Sequence, residues 1–306
     1  MVASTLRVLV VHYNTPAMTT RLVRSLPSES PSGRPVNVHL IDNDSTPDNL
    51  GLLRDGVAGI GHVVMVESAV NLGFGEGLNR LIASAAISDE DVLWLLNPDT
   101  EVLGSCLEAL ETELDRGEHA IVSPVIVSGE PASPWIWYAG GTLDVRKVRV
   151  QHELYGAQVS AVPESDPPFT TEFVTGAAMM MRAGTLRSLG GFPTDYFLYW
   201  EDALLSWKVR QSGRTMAVVP AARLWHAVGA SSGTGQTRTF YYWAARNRAR
   251  FTRDTGGRAG SLLLGAGAAE TARALARTLK ERRGRGGKLV SALRGTARGL
   301  HDFRKA

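Results

Sequence analysis

The sequence predicts an α/β fold with a mostly parallel central sheet and helices on both faces. Three observations carry that prediction. Apolar strand-like runs alternate with helix-periodic stretches from Leu6 to Val127. Several of the runs are continuously apolar, as strands covered on both faces are. Polar clusters follow the strand ends, where open α/β sheets hold their ligands.

Leu6 to Tyr13 predicts the first strand and Ala17 to Leu26 a helix, followed by strands at Val36 to Asp42 and His62 to Glu67. Glu76 to Ala86 reads as helix, Val92 to Leu96 as a buried strand, Ser105 to Arg116 as helix and Ala120 to Val127 as strand. Between Ser128 and Pro168 five prolines predict loops around the aromatic cluster Trp135 to Tyr138. Order returns at Phe173 to Arg182, where the small apolar run Gly176 to Met181 suits close approach beneath a ligand. A Gly190-Gly191-Phe192 turn leads to Tyr196 through Asp202, a helical stretch to Gln211, and a strand from Thr215 to Pro220, with His226 beyond it. No internal repeat is found.

A chain of 306 residues with a 44% hydrophobic share is long and apolar enough for a sizeable core, which excludes disorder throughout. The single cysteine, Cys106, excludes an internal disulfide. The N-terminal residues enter a strand with no secretory signal pattern, so a cytoplasmic compartment is expected. No window reaches the roughly 18 consecutive apolar residues of a membrane-spanning helix.

The net charge of +3 is unevenly spread. Residues 256–306 hold twelve Lys/Arg against three Asp/Glu, and residues 1–255 the remaining 21 against 27. The chain therefore divides into 1–255, carrying the α/β pattern, and a basic, partly helical tail over 256–306. In the tail, Ala269 to Lys280 reads as helix, with Leu275 and Leu279 on one face beside Arg273, Arg277 and Lys280. Such a segment suits peripheral contact with an anionic membrane surface; a solvated tail interrupted by Gly284, Gly286 and Gly287 is the other reading. Nucleic acid is not expected, because stacking aromatics are missing from the tail.

Six clusters carry the chemistry: Val11 to Asn14, Ile41 to Ser45, Asn71 to Asn79, Leu95 to Thr100, Phe197 to Asp202, and Val219 through His226. Each has a plainer reading alone. Asn97-Pro98-Asp99 is a good turn, Glu201 and Asp202 suit a first helical turn, His226 suits a strand end, and Met179 to Met181 suits a core. Gly73-Phe74-Gly75-Glu76-Gly77 is similar to a dinucleotide fingerprint, but its third glycine comes one residue early and it follows the third strand, which excludes a nicotinamide site.

Taken in order, the six clusters resemble the inverting family 2 glycosyltransferases of GT-A fold, most of all their rhamnosyltransferase-like branch, over roughly Leu6 to Phe251. The resemblance implies a nucleotide-sugar donor, dTDP- or UDP-linked, with its nucleotide against Tyr13, Asn14, Asp42 and Asn43. Asn71, Gly73, Gly75 and Asn79 would shape the next wall. Asp99 and His226 would hold Mg²⁺ or Mn²⁺, with Asn97 where relatives often carry a second Asp. Asp202 would be the catalytic base, with Glu201 the reserve. The Gly229 to Gln236 loop is a candidate lid or a linker, and Arg246 and Arg248 are candidates for meeting phosphates or are surface helix charges. The implied activity is transfer of a hexose, L-rhamnose leading, to a polyprenyl-linked saccharide of the envelope or to a small-molecule natural product. A non-catalytic sugar-nucleotide-binding protein and a nucleotidyltransferase are the readings from other classes. The second lacks a glycine-rich basic loop after the first strand, where Thr15-Pro16 stands.

Overall fold

The computed structural model describes residues 4–227 and 236–305. The first half is built from β1 (Leu6–His12), α1 (Pro16–Ser25), β2 (Val36–Asn43), α2 (Pro47–Val57), β3 (Val63–Ser68), α3 (Phe74–Ser84) and β4 (Val92–Leu96). There follow β5 (Thr100–Leu103), α4 (Cys106–Arg116), β6 (Ile121–Ser128), β7 (Trp135–Tyr138), the hairpin β8 (Gly141–Asp144) and β9 (Arg149–His152), and the short β10 (Phe169–Thr171). The chain continues through β11 (Ala178–Arg182), α5 (Ala183–Ser188), α6 (Glu201–Gln211) and β12 (Met216–His226) to α7 (Arg238–Asp254), α8 (Ala268–Lys280) and α9 (Arg285–Lys305).

The sheet runs β10-β12-β6-β11-β4-β1-β2-β3, with β5 on β12 and β7 on β6. Strands β4, β1, β2 and β3 are parallel, each joined to the next in sequence through a helix. Past β4 the sheet becomes mixed: β11 runs antiparallel to both β4 and β6, while β12 is parallel to β6. Every residue of β4 and β6 is buried, as the unbroken apolar sequence of β4 requires. One face of the sheet is covered by Leu22 and Val23 of α1, Leu53 of α2 and Leu110 of α4. The other is covered by Leu78 and Leu81 of α3, Leu186 of α5 and Leu205 and Val209 of α6. The strand carboxyl ends of β1, β2 and β4 therefore share one edge, clear of both helical layers.

Three elements depart from the sequence expectation. Helix α2 carries Gly51 and Gly56, which weaken its helical pattern. Gly56 is there because a Cβ would run into the Thr20 side chain of α1. The turn expected at Asn97-Pro98-Asp99 is present but leads straight into strand β5, which the sequence pattern did not show, and β12 extends six residues past Pro220, so His226 is the last residue of the strand rather than a residue beyond it. The proline-bounded region also contains β7, which pairs antiparallel with the preceding β6, and the local hairpin β8–β9.

The C-terminal helices pack against α7. Gly286 and Gly287 lie inside α9, where they had been expected to interrupt it. Gly295 and Gly299 let α9 approach so closely that a Cβ on either would strike the Tyr242 or Arg246 carbonyl of α7. Arg246 pairs with Asp302 across this contact at 3.1 Å. Among the described residues, no helix is long and apolar enough to cross a membrane. The loop read as a candidate lid falls, except for Gln236, outside the described residues.

Candidate active site

The site begins where β4 ends. Asn97 takes extended geometry ahead of Pro98, and its carbonyl accepts from the Thr100 backbone N–H (3.2 Å) and hydroxyl (2.6 Å), closing a turn with Asp99 at its tip. The turn feeds directly into β5, which pairs antiparallel with the end of β12 in a register that sets His226 opposite Thr100. The Ala227 N–H also donates to the Asp99 carbonyl at 2.9 Å. As a result His226 Nε2 stands 3.1 Å from Asp99 Oδ1, although 127 positions separate the two residues. The Trp137 ring meets the imidazole edge to face at 4.7 Å and fixes its plane.

The second half of the site is the start of α6. The approach to it is strained: Phe197, Tyr199 and Trp200 all have positive φ, at 57°, 68° and 77°. Non-glycine residues held this way cost of order 1–3 kcal/mol each, so the surroundings must over-determine them. Buried Asn247 of α7 does so, its amide donating to the carbonyls of Tyr196, Leu198 and Tyr199. Phe197 stacks on Trp243 at 4.6 Å.

From the other side the Phe74 N–H donates to the Phe197 carbonyl at 2.7 Å. That contact needs glycine at position 73, whose φ is +80° and whose Cβ would overlap the Phe197 backbone. Asn43 at the end of β2 donates to the Gly73 carbonyl and Asn71 Oδ1 and accepts from Leu72 N. Asn79 clamps Phe192 through its N–H and its carbonyl. A relay of side-chain amides thus runs from the end of β2 to the mouth of α6.

Asp202 accepts from the Gly176 N–H (3.0 Å) and from its neighbour Ala203 N–H (2.8 Å), so each carboxylate oxygen is aimed by one backbone donor. Burial raises its pKa against those two hydrogen bonds. Glu201 is more deeply placed, and Oε2 has no partner among the described residues. Burial first, and the Asp202 charge second, push its pKa well above the ordinary carboxylate value. Tyr199 is likewise raised, by burial and then by Glu201.

Asn97, Asp99, Glu201, Asp202 and His226 all line one cavity of about 1760 Å³. The other candidates surround the neighbouring strand ends. Tyr13 is half exposed, and Asn14 bridges to the next loop by accepting from Thr46 N and Asn49 Nδ2. Asp42 is buried, with Oδ2 accepting from Ser45 N and Oδ1 3.8 Å from His12 Nε2, neither of the latter atoms having a hydrogen-bond partner. Burial lowers the His12 pKa, which keeps the ring neutral near pH 7. Asn43, Asn71, Gly73, Gly75 and Asn79 form the loop scaffold described above, and Gly75 packs 3.0 Å from the Pro193 carbonyl at the Cβ position.

Arg246 and Arg248 are not free to meet phosphates. The Arg248 guanidinium is buried and spends its donors on the carbonyls of Val148, Lys147 and Gly267 and on the Thr271 hydroxyl. Arg246 holds Asp302 and the Asp195 carbonyl. The residue that serves the site lies between them: Asn247, whose sequence signal is only a polar side chain on the buried face of an otherwise aromatic and basic helix. Trp137 and Gly176 were seen as an aromatic cluster and a small run, without the contacts that give them their tasks.

One carboxylate, one imidazole and a nearby amide are a donor set suited to Mg²⁺ or Mn²⁺. His226 Nε2 and Asp99 Oδ1 are in hydrogen-bond contact at 3.1 Å, so the two atoms that would hold the cation already lie side by side. His226 Nδ1 is an orphaned buried atom on the far side of the ring. Elsewhere among the described residues, Glu113, Glu118 and His119 converge, but Glu113 is already paired with Arg116 at 2.9 Å.

Residues 7–183 match the profile of Glycosyl transferase family 2. The chain is 24% identical to the N-acetylglucosaminyl-diphospho-decaprenol L-rhamnosyltransferase of Mycobacterium tuberculosis, over 65% of this chain and 69% of that protein. Its fold is similar to that of GalNAc-T7 with UDP, GalNAc and Mn²⁺ (TM-score 0.62, 17% identity, 88% of this chain and 54% of that one). It is also similar to the mannosyltransferase PcManGT from Pyrobaculum calidifontis with GDP-Man and Mn²⁺ (TM-score 0.58, 16% identity, 99% and 83%). These neighbours share the GT-A fold, and the chain spans about half the length of the first.

The buried Glu201 makes stability depend on pH. Its folded pKa lies above the unfolded value of about 4.3, so between the two the native state binds more protons and stability falls as pH rises. Glu201→Gln removes that loss. Its melting temperature should equal that of the parent near pH 4 and exceed it increasingly toward pH 7; a difference that is constant across this range would show that Glu201 titrates normally.

Proposed function

The chain belongs to glycosyl transferase family 2, and from that premise we propose that it is an inverting, metal-assisted glycosyltransferase. It moves a hexose from a nucleoside diphosphate sugar to a hydroxyl of a saccharide carried on a polyprenyl diphosphate. The observation that carries the reading is the meeting of Asp202 with the Asp99–His226 pair in one cavity. The mycobacterial relative supports L-rhamnose as the sugar and a diphospho-polyprenyl saccharide as the acceptor.

In this reading Asp99 and His226 hold the divalent cation, which offsets the charge growing on the leaving nucleoside diphosphate. Asp202 takes the proton from the acceptor hydroxyl. The freed oxygen attacks the anomeric carbon from the face opposite the diphosphate, the carbon–oxygen bond to the phosphate breaks, and the configuration inverts. The raised pKa of Asp202 brings its proton affinity closer to neutral pH, where general-base transfer is most effective. The Gly176 and Ala203 N–H groups keep the carboxylate oriented. Two adjacent buried carboxylates resist being charged together, so a protonated Glu201 leaves the negative charge to Asp202.

Asp202→Asn should lower transfer by about 10²–10⁴-fold while nucleotide binding in the presence of Mn²⁺ is kept. Glu201→Gln should retain most of the turnover. The reverse ranking in a radiolabelled-donor assay would move the base to Glu201.

We also propose that the protein works at the inner face of a membrane. Leu264 is 94% exposed and Leu279 56%, the latter beside Arg277 and Lys280, a pattern suited to anionic headgroups. Full-length protein should sediment with phosphatidylglycerol vesicles and much less with phosphatidylcholine. Leu264→Asp combined with Leu279→Asp should abolish the difference, and undiminished sedimentation of that variant would refute the contact.

A further inference from the structure

The cavity that holds Asp202 does not end at the catalytic carboxylates. It continues past Tyr155 and Tyr199 to α8, where Arg149, Arg273 and Arg277 line it together with the acid Glu270, and Glu153 lies on the wall beside Leu154 and Tyr155. Glu270 is mostly buried and receives both Arg149, at 3.5 Å, and Arg273. Arg277 has no ion-pair or hydrogen-bond partner among the described residues and lies one helical turn from Arg273, on the same side of α8. Arg248 also reaches the cavity wall, but its Nε, Nη1 and Nη2 groups all donate to acceptors of the protein itself. Even with Glu153 counted beside Glu270, this side carries more cations than carboxylates, whereas Asp99, Glu201 and Asp202 make the other side acidic. A cavity polarised in this way selects a ligand with a hydroxyl at one end and an anion at the other.

We propose that Arg149, Arg273 and Arg277 form the subsite for the acceptor's own diphosphate. The inference rests on the glycosyltransferase reading, which assigns the donor diphosphate to the Asp99–His226 end and so leaves an anion at the far end to the acceptor. Guanidinium groups bind phosphate oxygens in pairs of parallel hydrogen bonds, which suits a diphosphate that must be held in one orientation while its saccharide reaches Asp202. Glu270 keeps Arg149 and Arg273 extended toward the cavity without neutralising all of their charge. Beyond the subsite, Leu275 on the wall and half-exposed Leu154 and Leu279 provide apolar surface where the first prenyl units would leave the diphosphate.

Farnesyl diphosphate tests the subsite without requiring that the sugar be known. Titrations use the full-length protein with UDP and Mn²⁺ at saturation, so that the donor site is filled. The parent protein should bind farnesyl diphosphate and not farnesol. Arg273→Gln with Arg277→Gln should weaken that binding by about tenfold or more, with UDP affinity unchanged. Arg282→Gln with Arg283→Gln, on exposed positions outside the cavity, should leave it intact. Equal binding by the cavity variant, equal losses in both double variants, or no binding by the parent would each overturn the subsite. Arginine-dependent farnesyl diphosphate binding without any sugar transfer to a lipid-linked saccharide would keep the subsite and refute the glycosyltransferase reading instead.

Discussion

The arrangement of the site depends on one strand pairing, that of His226 with Thr100. A register slip by a single residue would turn His226 to the opposite face of β12 and separate it from Asp99. The pairing is secured from both strands where Thr100 and His226 meet. Thr100 closes the Asn97 turn with its backbone and its hydroxyl, and Ala227 returns a hydrogen bond to the Asp99 carbonyl. Between them, the parallel ladder of β12 with β6 absorbs an irregularity at Val219–Arg223, so the apolar first part of β12 stays in the core while its end reaches the sheet edge. The Asp99–His226 pair therefore draws its rigidity from the sheet, and a cation bound there would find its ligands already placed.

The acid pair depends on a different principle. No regular element leads into α6; the chain reaches it through a loop with three left-handed side chains, held by Asn247 from one side and by the Asn43–Gly73 scaffold from the other. Strain of this kind is stable only when many contacts enforce it. Here those contacts come from β2, α3 and α7, so the acid pair is coupled to elements that touch no reacting group. The close seating of α9 on α7 through Gly295 and Gly299 extends this support to the C-terminal helices.

The alternation of strands and helices was legible in the sequence because it is a local pattern: apolar runs mark β1, β2, β4 and β6, and three of the six polar clusters sit at the ends of β1, β2 and β4. Elements whose reasons are tertiary were not legible. Helix α2 hides behind two glycines, one of which serves contact with α1, and β5 exists only because β12 lies beside it. The same distinction holds at the site. Asp99, Asp202 and His226 stand out only through the ordered set of clusters that resembles the family, whereas Asn247 looks like any polar residue until its three carbonyl partners are seen, and Arg248 looks like a phosphate ligand until its partners are seen. In the basic C-terminal region composition suggested a solvated tail, while its glycines prove to be the means of packing.

In the proposed mechanism Asp99 and His226, brought together by the β5–β12 register, would hold a divalent cation facing Asp202 across one cavity. Anomalous diffraction from crystals grown with UDP and Mn²⁺ tests it most directly. The account predicts a manganese peak within bonding distance of both Asp99 and His226, with the nucleotide diphosphate beside it. A peak at Glu113, Glu118 and His119 alone, or a nucleotide bound away from the Asp99 turn, would contradict it.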